Sequence, residues 1–201
     1  LGHRPVVSVI YTHSHADHFG GVFGVTSDED VLAGRCSVIA PEGFLAETIG
    51  ENIIAGPAMA RRATYQFGPF LEPDPTGHVD CGLGTSIPIG APGLIAPTIE
   101  IHRTGEEMVV DGVRIVFQLT PETEAPAEMN FFFPDFGALC MAENCSHTMH
   151  NLVPIRGALV RNSLRWSKYI NEAIEMFADS TSLLFASHNW PRWGAADVRE
   201  Y

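Results

Sequence analysis

Three imidazoles and one carboxylate stand within six positions near the start of the chain, in Thr12-His13-Ser14-His15-Ala16-Asp17-His18-Phe19-Gly20-Gly21, directly after the apolar run Val6-Val7-Ser8-Val9-Ile10-Tyr11. The apolar run is rich in β-branched residues and too short for a helix, so it predicts a buried strand. The chain then turns at the strand end and presents His13, His15, Asp17 and His18 together. Imidazole nitrogen and carboxylate oxygen are the ligand set of Zn²⁺ and similar borderline metals. Four such groups on one short turn predict two adjacent ions, with His13 and His15 serving one and Asp17 and His18 the other. The plainer alternative is a polar surface loop that happens to hold histidines. Three of the nine His in 201 residues fall in this one segment, and such clustering favours a site. The Gly20-Gly21 pair predicts close backbone packing behind it.

Charge narrows the function classes. The chain has 24 acidic and 12 basic residues, a net charge of −12. That speaks against nucleic acid as a partner, because a phosphate backbone needs a basic face. Two bound divalent cations would neutralise part of the surplus, and the remainder keeps a surface soluble. A hydrophobic content of 45% predicts a packed globular chain, and the length suits one domain over residues 1–201. No apolar stretch nears the roughly 20 residues of a membrane span, and no basic-then-apolar leader opens the chain. Leu1 stands a few residues before the first strand, with no initiating Met, so the chain reads as a piece of a longer polypeptide. A signal in the missing part would make the protein secreted or periplasmic; the residues present leave the compartment open. Of the four cysteines, Cys36, Cys81, Cys140 and Cys145, none forms a CxxC pair. Cys140 lies in an apolar strand pattern and predicts a buried free thiol.

Farther along, Val38-Ile39-Ala40 predicts a short strand, and Gly43 to Tyr65 has helical character interrupted by Gly56-Pro57. Gly68 to Pro97 is Gly- and Pro-rich and irregular, a binding loop or a surface excursion. Glu107 to Val110, Asp111-Gly112 and Val113 to Phe117 predict a hairpin with an Asp-Gly turn. Met129 to Phe133 and Gly137 to Met141 predict a second strand pair. Ala158 to Ala178 predicts a helix with Leu159, Leu164, Ile170, Ile174 and Phe177 on its buried side. Ser182 to Ser187 predicts a last strand, delivering His188. Strand pairs followed by helix and strand predict a sheet-rich layered α/β domain.

Further candidate ligands stand where strands end: Glu124 in Thr120-Pro121-Glu122-Thr123-Glu124-Ala125-Pro126, Glu143 after Leu139-Cys140-Met141-Ala142, and His188 after Leu183-Leu184-Phe185-Ala186-Ser187. Singly each has a mundane reading, such as Glu124 as a solvated loop acid. With the opening turn they fit the rest of a two-metal site, since strand ends on one sheet edge converge. The pattern His13-x-His15-x-Asp17-His18 resembles the signature of the metallo-β-lactamase superfamily. More narrowly, Thr12 to Gly21, Ala60 to Gly68, Glu143 to Arg161 and Phe185 to Gly194 resemble the alkylsulfatases, the dodecyl-sulfate hydrolase group.

The resemblance implies an αββα sandwich, incomplete at the N-terminus, with two zinc ions at one edge. It implies Glu124 as the last ligand of the first metal, Glu143 bridging both metals, and His188 completing the second. It implies Asn151, Arg156 and Arg161 as holders of a sulfate group. That role suits the guanidinium fork, which matches a tetrahedral anion bidentately; a surface charge or a helix-end contact is the duller reading of each arginine. Asp17, His147 and His150 are the candidates for proton transfer. The family's dimerisation region and C-terminal domain do not fit in 201 residues, and the whole protein is expected to be a homodimer. The expected reaction is hydrolysis of a small-molecule alkyl sulfate ester, such as dodecyl sulfate, to alcohol and inorganic sulfate by a metal-activated water. Attack at sulfur and attack at carbon both stay open. The rival readings are another hydrolase of the same fold (a lactonase, thioesterase or phosphodiesterase) and a catalytically silent zinc-binding fragment.

Overall fold

The computed structural model describes residues 4–86 and 90–201. Residues 1–3, which include Leu1, and residues 87–89 of the stretch read as irregular lie outside the described residues. Along the chain run β1 (Ser8–Ile10), α1 (Ala16–Phe19), α2 (Asp28–Leu32), β2 (Ser37–Pro41) and α3 (Phe44–Ile49). A π-helical turn, Gly50–Ile54, leads into α4 (Gly56–Phe67). Then come β3 (Ile99–Ile101), β4 (Glu107–Val110), β5 (Val113–Leu119), β6 (Met129–Phe133) and β7 (Ala138–Cys140). The last elements are α5 (Ser163–Phe177), β8 (Leu183–Phe185), β9 (Arg192–Trp193) and α6 (Ala195–Glu200).

Two sheets form. β1, β2 and β3 make a parallel sheet, with Ile10 opposite Ile39 and Ile39 opposite Ile99. The other sheet runs β4-β5-β6-β7-β8-β9, antiparallel except where β7 meets β8. Side chains alternate across a strand, and that period sorts the core into three layers. Val38 and Ala40 of β2 pack with Tyr11, Phe19 and Phe44 on the helical side. Ile39, between them, faces Ile101, Phe117, Met129 and Phe131 between the sheets. On β6, Phe131 faces that inner layer while Phe132 joins Leu139, Leu184, Ala173 and Phe177 under α5 and α6. Helix, sheet, sheet, helix is therefore the order of layers, the αββα sandwich expected.

Local chemistry explains the elements. Asp111 and Gly112 turn the β4–β5 hairpin with φ of 50° and 79°, as a two-residue turn of that twist requires. Pro57 falls in the first turn of α4, where its missing N–H has no partner to lose. Cys140 is buried and free.

Two expectations are corrected. The predicted helix at Ala158 starts only at Ser163, because the Asn162 side chain accepts the Arg165 N–H at 3.1 Å and caps it there. Its buried face is also rotated. Leu159, Leu164 and Ile174 are 67%, 65% and 53% exposed, and the stripe that packs inward is Ala173 and Phe177, with Trp166 and Ile170 half-buried. β3, β9 and α6 carry no expectation from the sequence; the first two are three and two residues long, too short to show a period.

Candidate metal centre

The opening turn leaves β1 at Ile10 and is tied down at once. Met129 donates its N–H to the Thr12 carbonyl at 2.9 Å, Ser14 donates to Ala127, and His13 bridges Glu128. α1 then carries Asp17 and His18, and Gly20 closes it. A Cβ on Gly20 would lie 2.5 Å from the Ala16 carbonyl oxygen and 3.0 Å from Pro92 Cβ, so only glycine fits. Gly21 has open space around it, so the close packing expected of the pair belongs to Gly20 alone.

All seven imidazoles and carboxylates singled out as metal ligands converge, in two groups sharing Glu143. His13, His15, Glu124 and Glu143 form one, and Asp17, His18, Glu143 and His188 the other; within each, the candidate ligand atoms lie within 4.8 Å of one another. Glu143 Oε2 stands 3.3 Å from His13 Nε2, 3.1 Å from His18 Nε2 and 3.5 Å from His188 Nε2. Asp17 lies 3.1 Å from His18 and 3.6 Å from His188, and Glu124 lies 3.0 Å from His15 Nδ1.

These contacts test whether a cation fits. His13 Nε2 and Glu124 Oε2 are buried with no hydrogen-bond partner, although each has opposing ligand atoms within 4 Å. Two imidazole nitrogens, on His18 and His188, face each other at 3.1 Å. Buried polar atoms are rarely left unpaired, and lone pairs turned toward common points are the arrangement that a divalent cation satisfies. The residues fit metal ions.

The electrostatics of the unneutralised cluster agree. Burial, with His18 beside it, pushes His13 down to about 4, so it is a neutral imidazole. Burial also opposes charge on His18, but Asp17 and Glu143 outweigh it and raise His18 to about 9; the same two carboxylates raise His188 to about 10. Burial alone would raise Asp17 and Glu143, yet the imidazoles around them hold both well below the ordinary carboxylate range. Asp17 and Glu143 thus draw positive charge toward the second group, which in the metal-free chain favours protons on His18 and His188.

The sulfate candidates border the first group. Arg161, buried, reaches Glu124 with Nη2, and its Nη1 donates to the Asn151 Oδ1 at 2.7 Å and the Asn151 carbonyl at 3.1 Å. Its Nε is buried and without a partner. Arg156 Nη2 lies 3.0 Å from His15 Nε2. α4 holds the Arg156 turn: Gln66 Oε1 accepts the Arg156 N–H at 2.9 Å, and Arg62 covers Gly157, whose φ of 99° favours glycine. His150 packs its ring on Trp166, 5.7 Å between centroids, and burial with the Arg161 charge pushes its pKa down. His147 is not brought to either group. It is exposed, at φ of 75°, with its ring 5.3 Å from Tyr201 and Nε2 3.4 Å from Arg192.

Two acids at the site carry no expectation from the sequence. Glu51, on the π-helical turn, places Oε2 3.8 Å from both His15 Nε2 and Arg156 Nη2; a single acid in a helical stretch gives no signal. Glu128 is fully buried under Glu124 and Glu143, and burial with those two charges raises its pKa well above the usual range. Its signal was faint: an acid directly preceding the apolar strand Met129 to Phe133.

Comparison with known proteins places this arrangement. The profile of the metallo-beta-lactamase superfamily matches residues 1–188. The chain is 48% identical over 197 residues to a linear primary-alkylsulfatase of Pseudomonas sp., covering 98% of this chain and 29% of that protein. It is 49% identical to an alkyl/aryl-sulfatase of Saccharomyces cerevisiae, covering 98% of this chain and 30% of the relative. The solved structure of a stereoselective inverting sec-alkylsulfatase from Pseudomonas sp. superposes with a TM-score of 0.96 at 44% identity, over all of this chain and 32% of that one. A metallo-beta-lactamase superfamily protein of Sulfolobus tokodaii shares the fold at a TM-score of 0.59 and 14% identity, over 98% of this chain and 67% of its own. The chain thus spans under a third of the length of these two curated relatives.

Proposed function

The chain belongs to the metallo-beta-lactamase superfamily, and from that premise we propose that it is the metal-binding part of a hydrolase that cleaves alkyl sulfate esters to an alcohol and inorganic sulfate. The observation that carries this reading is the join of two ligand groups through Glu143, bordered by Arg156 and Arg161. His13, His15 and Glu124 would hold one zinc ion, Asp17, His18 and His188 the other, and Glu143 both; the nitrogen-and-carboxylate set suits zinc. When bound, such a pair supplies Lewis acidity and a nucleophilic water at neutral pH.

The protein's own groups set up the anion site. Arg161 is oriented by Glu124 and Asn151, which leaves its unpartnered Nε–H to donate to a sulfate oxygen. Arg156 stands over His15 on a turn fixed by Gln66 and Arg62, so its fork is held before substrate arrives. Preorganised donors aimed at developing charge are commonly the largest catalytic term, each worth about 3 kcal/mol. Of the residues considered for proton transfer, Asp17 belongs to the second ligand group, and His150 has burial and the Arg161 charge favouring a neutral ring.

Sulfate release from dodecyl sulfate by the zinc-loaded, full-length polypeptide, with a chelated sample beside it, tests the reading. Release that vanishes on chelation supports it. A folded, zinc-replete sample that releases none, or that turns over carboxylic or phosphate esters in preference, would overturn it.

A further inference from the structure

Glu128 lies beneath the cluster and touches the chain beside three of the candidate ligands, His13, Glu124 and Glu143. Its side chain is fully buried. Oε1 accepts the backbone N–H of Glu143 at 3.1 Å. Oε2 lies 3.1 Å from the Thr123 hydroxyl and accepts the Ala125 N–H at 3.4 Å, so it holds the residues on both sides of Glu124. Thr123 also accepts from the Asn144 side chain at 2.7 Å, which closes a loop between the two segments. The backbone of Glu128 bridges His13, and its carbonyl accepts from Thr120.

We infer that Glu128 is a positioning residue that sets the spacing between Glu124 and Glu143, and with it the affinity and geometry of both metal positions. The inference rests on the metal reading above. The physical reason is the placement of those two carboxylates. Each follows a strand and sits on irregular backbone, Glu124 two residues after Glu122 at φ of 64° and Glu143 directly after Ala142 at φ of 50°. Neither segment can be held by strand pairing at that point, and an outside acceptor must take the N–H groups that the turns leave over. One carboxyl group takes an N–H from each segment and so couples them. Outer partners of this kind tune metal sites, and their loss commonly weakens metal binding roughly 10- to 100-fold.

The test compares Glu128→Ala, Glu128→Gln and Glu128→Asp with wild type in the full-length protein. Affinity is read by zinc titration against a chelator, geometry by the visible spectrum of the cobalt-loaded form, and folding by the melting of the metal-free form. In Glu128→Ala both zinc affinities should fall roughly 10- to 100-fold and the cobalt bands should shift. Glu128→Gln should recover most of the affinity, because its amide oxygen still accepts the Glu143 N–H; Glu128→Asp, one methylene short, should not. If the alanine variant does not fold, the glutamine and aspartate variants decide between them. Wild-type affinity and spectrum in every folded variant would overturn the inference, as would a loss of melting temperature with no change in either. If wild type itself binds no metal, the metal reading fails instead.

Discussion

Glu143 has three imidazoles within 3.5 Å of one carboxylate oxygen and is the residue common to both ligand groups. Glu143→Ala is therefore expected to empty both positions, whereas Glu124→Ala should weaken only the first. Metal analysis of the two purified, folded variants checks this, and two full equivalents of metal on Glu143→Ala would remove it from the bridge. Proton linkage makes a second prediction for the metal-free protein. His18 and His188 are raised from 6.5 to about 9 and about 10. A raised imidazole contributes stability that is fully present below pH 6.5 and is lost as pH rises through the folded value. His13, lowered to about 4, acts oppositely: its neutral ring opposes folding as pH falls from 6.5 toward 4. The melting temperature of the chelated protein should decline between pH 7 and 10, and His188→Gln should flatten that decline. An alkaline limb identical to wild type in that variant would refute the assignment. Which residues carry these charges was readable from the opening turn and the strand-end positions of Glu124, Glu143 and His188. Glu51 and Glu128 were not, because a lone acid in a helix or beside a strand looks the same whether it is buried or solvated.

Among the α-helices, the shortest supplies half of the second candidate ligand group. α1 has only four residues, carries both Asp17 and His18, and ends on Gly20, whose α-carbon is pressed between the Ala16 carbonyl and Pro92. Gly20→Ala should force α1 away from Pro92. The expected cost is about 1–3 kcal/mol in denaturant unfolding, as for other overpacked sites, with weaker metal binding at Asp17, His18 and His188 than at His13 and His15. Unchanged unfolding and unchanged affinity would show that the turn relaxes without strain. The longest helix teaches the complementary lesson. The apolar pattern over 158–178 gave helix correctly and put Phe177 and Ile170 on its inner side, but it placed the start too early and Leu164 and Ile174 on the wrong side. Two polar contacts decided both: the Asn162 cap at its start and the bond from Trp166 Nε1 to the Asn144 carbonyl on its inner side. Hydrophobic periodicity does not register either contact.

Over the whole molecule, four layers bring strand ends from β1, β7 and β8, and the loop before β6, to one edge, where carboxylates and imidazoles with too few hydrogen-bond partners collect. Metal bound only to the folded chain stabilises it in proportion to the logarithm of its concentration, by about 4 kcal/mol per site at a thousand times Kd. Chelation should therefore lower the melting temperature of the loaded protein, and excess zinc should restore it; a melting curve indifferent to both would argue against any bound ion. The residue types and their spacing in the sequence determined the chemistry of the ligands, the alternation of the strands, the hairpin turn at Asp111-Gly112 and the layered α/β class, because these depend on local geometry with short periods. The place of Glu143 between both groups was already implied by the family resemblance, but the placement of Arg161 on Glu124 and of His147 away from the cluster, and the burial of Glu128 beneath it, were decided by tertiary structure alone. Each depends on contacts between segments far apart in the chain, and a local pattern carries no distance information across them.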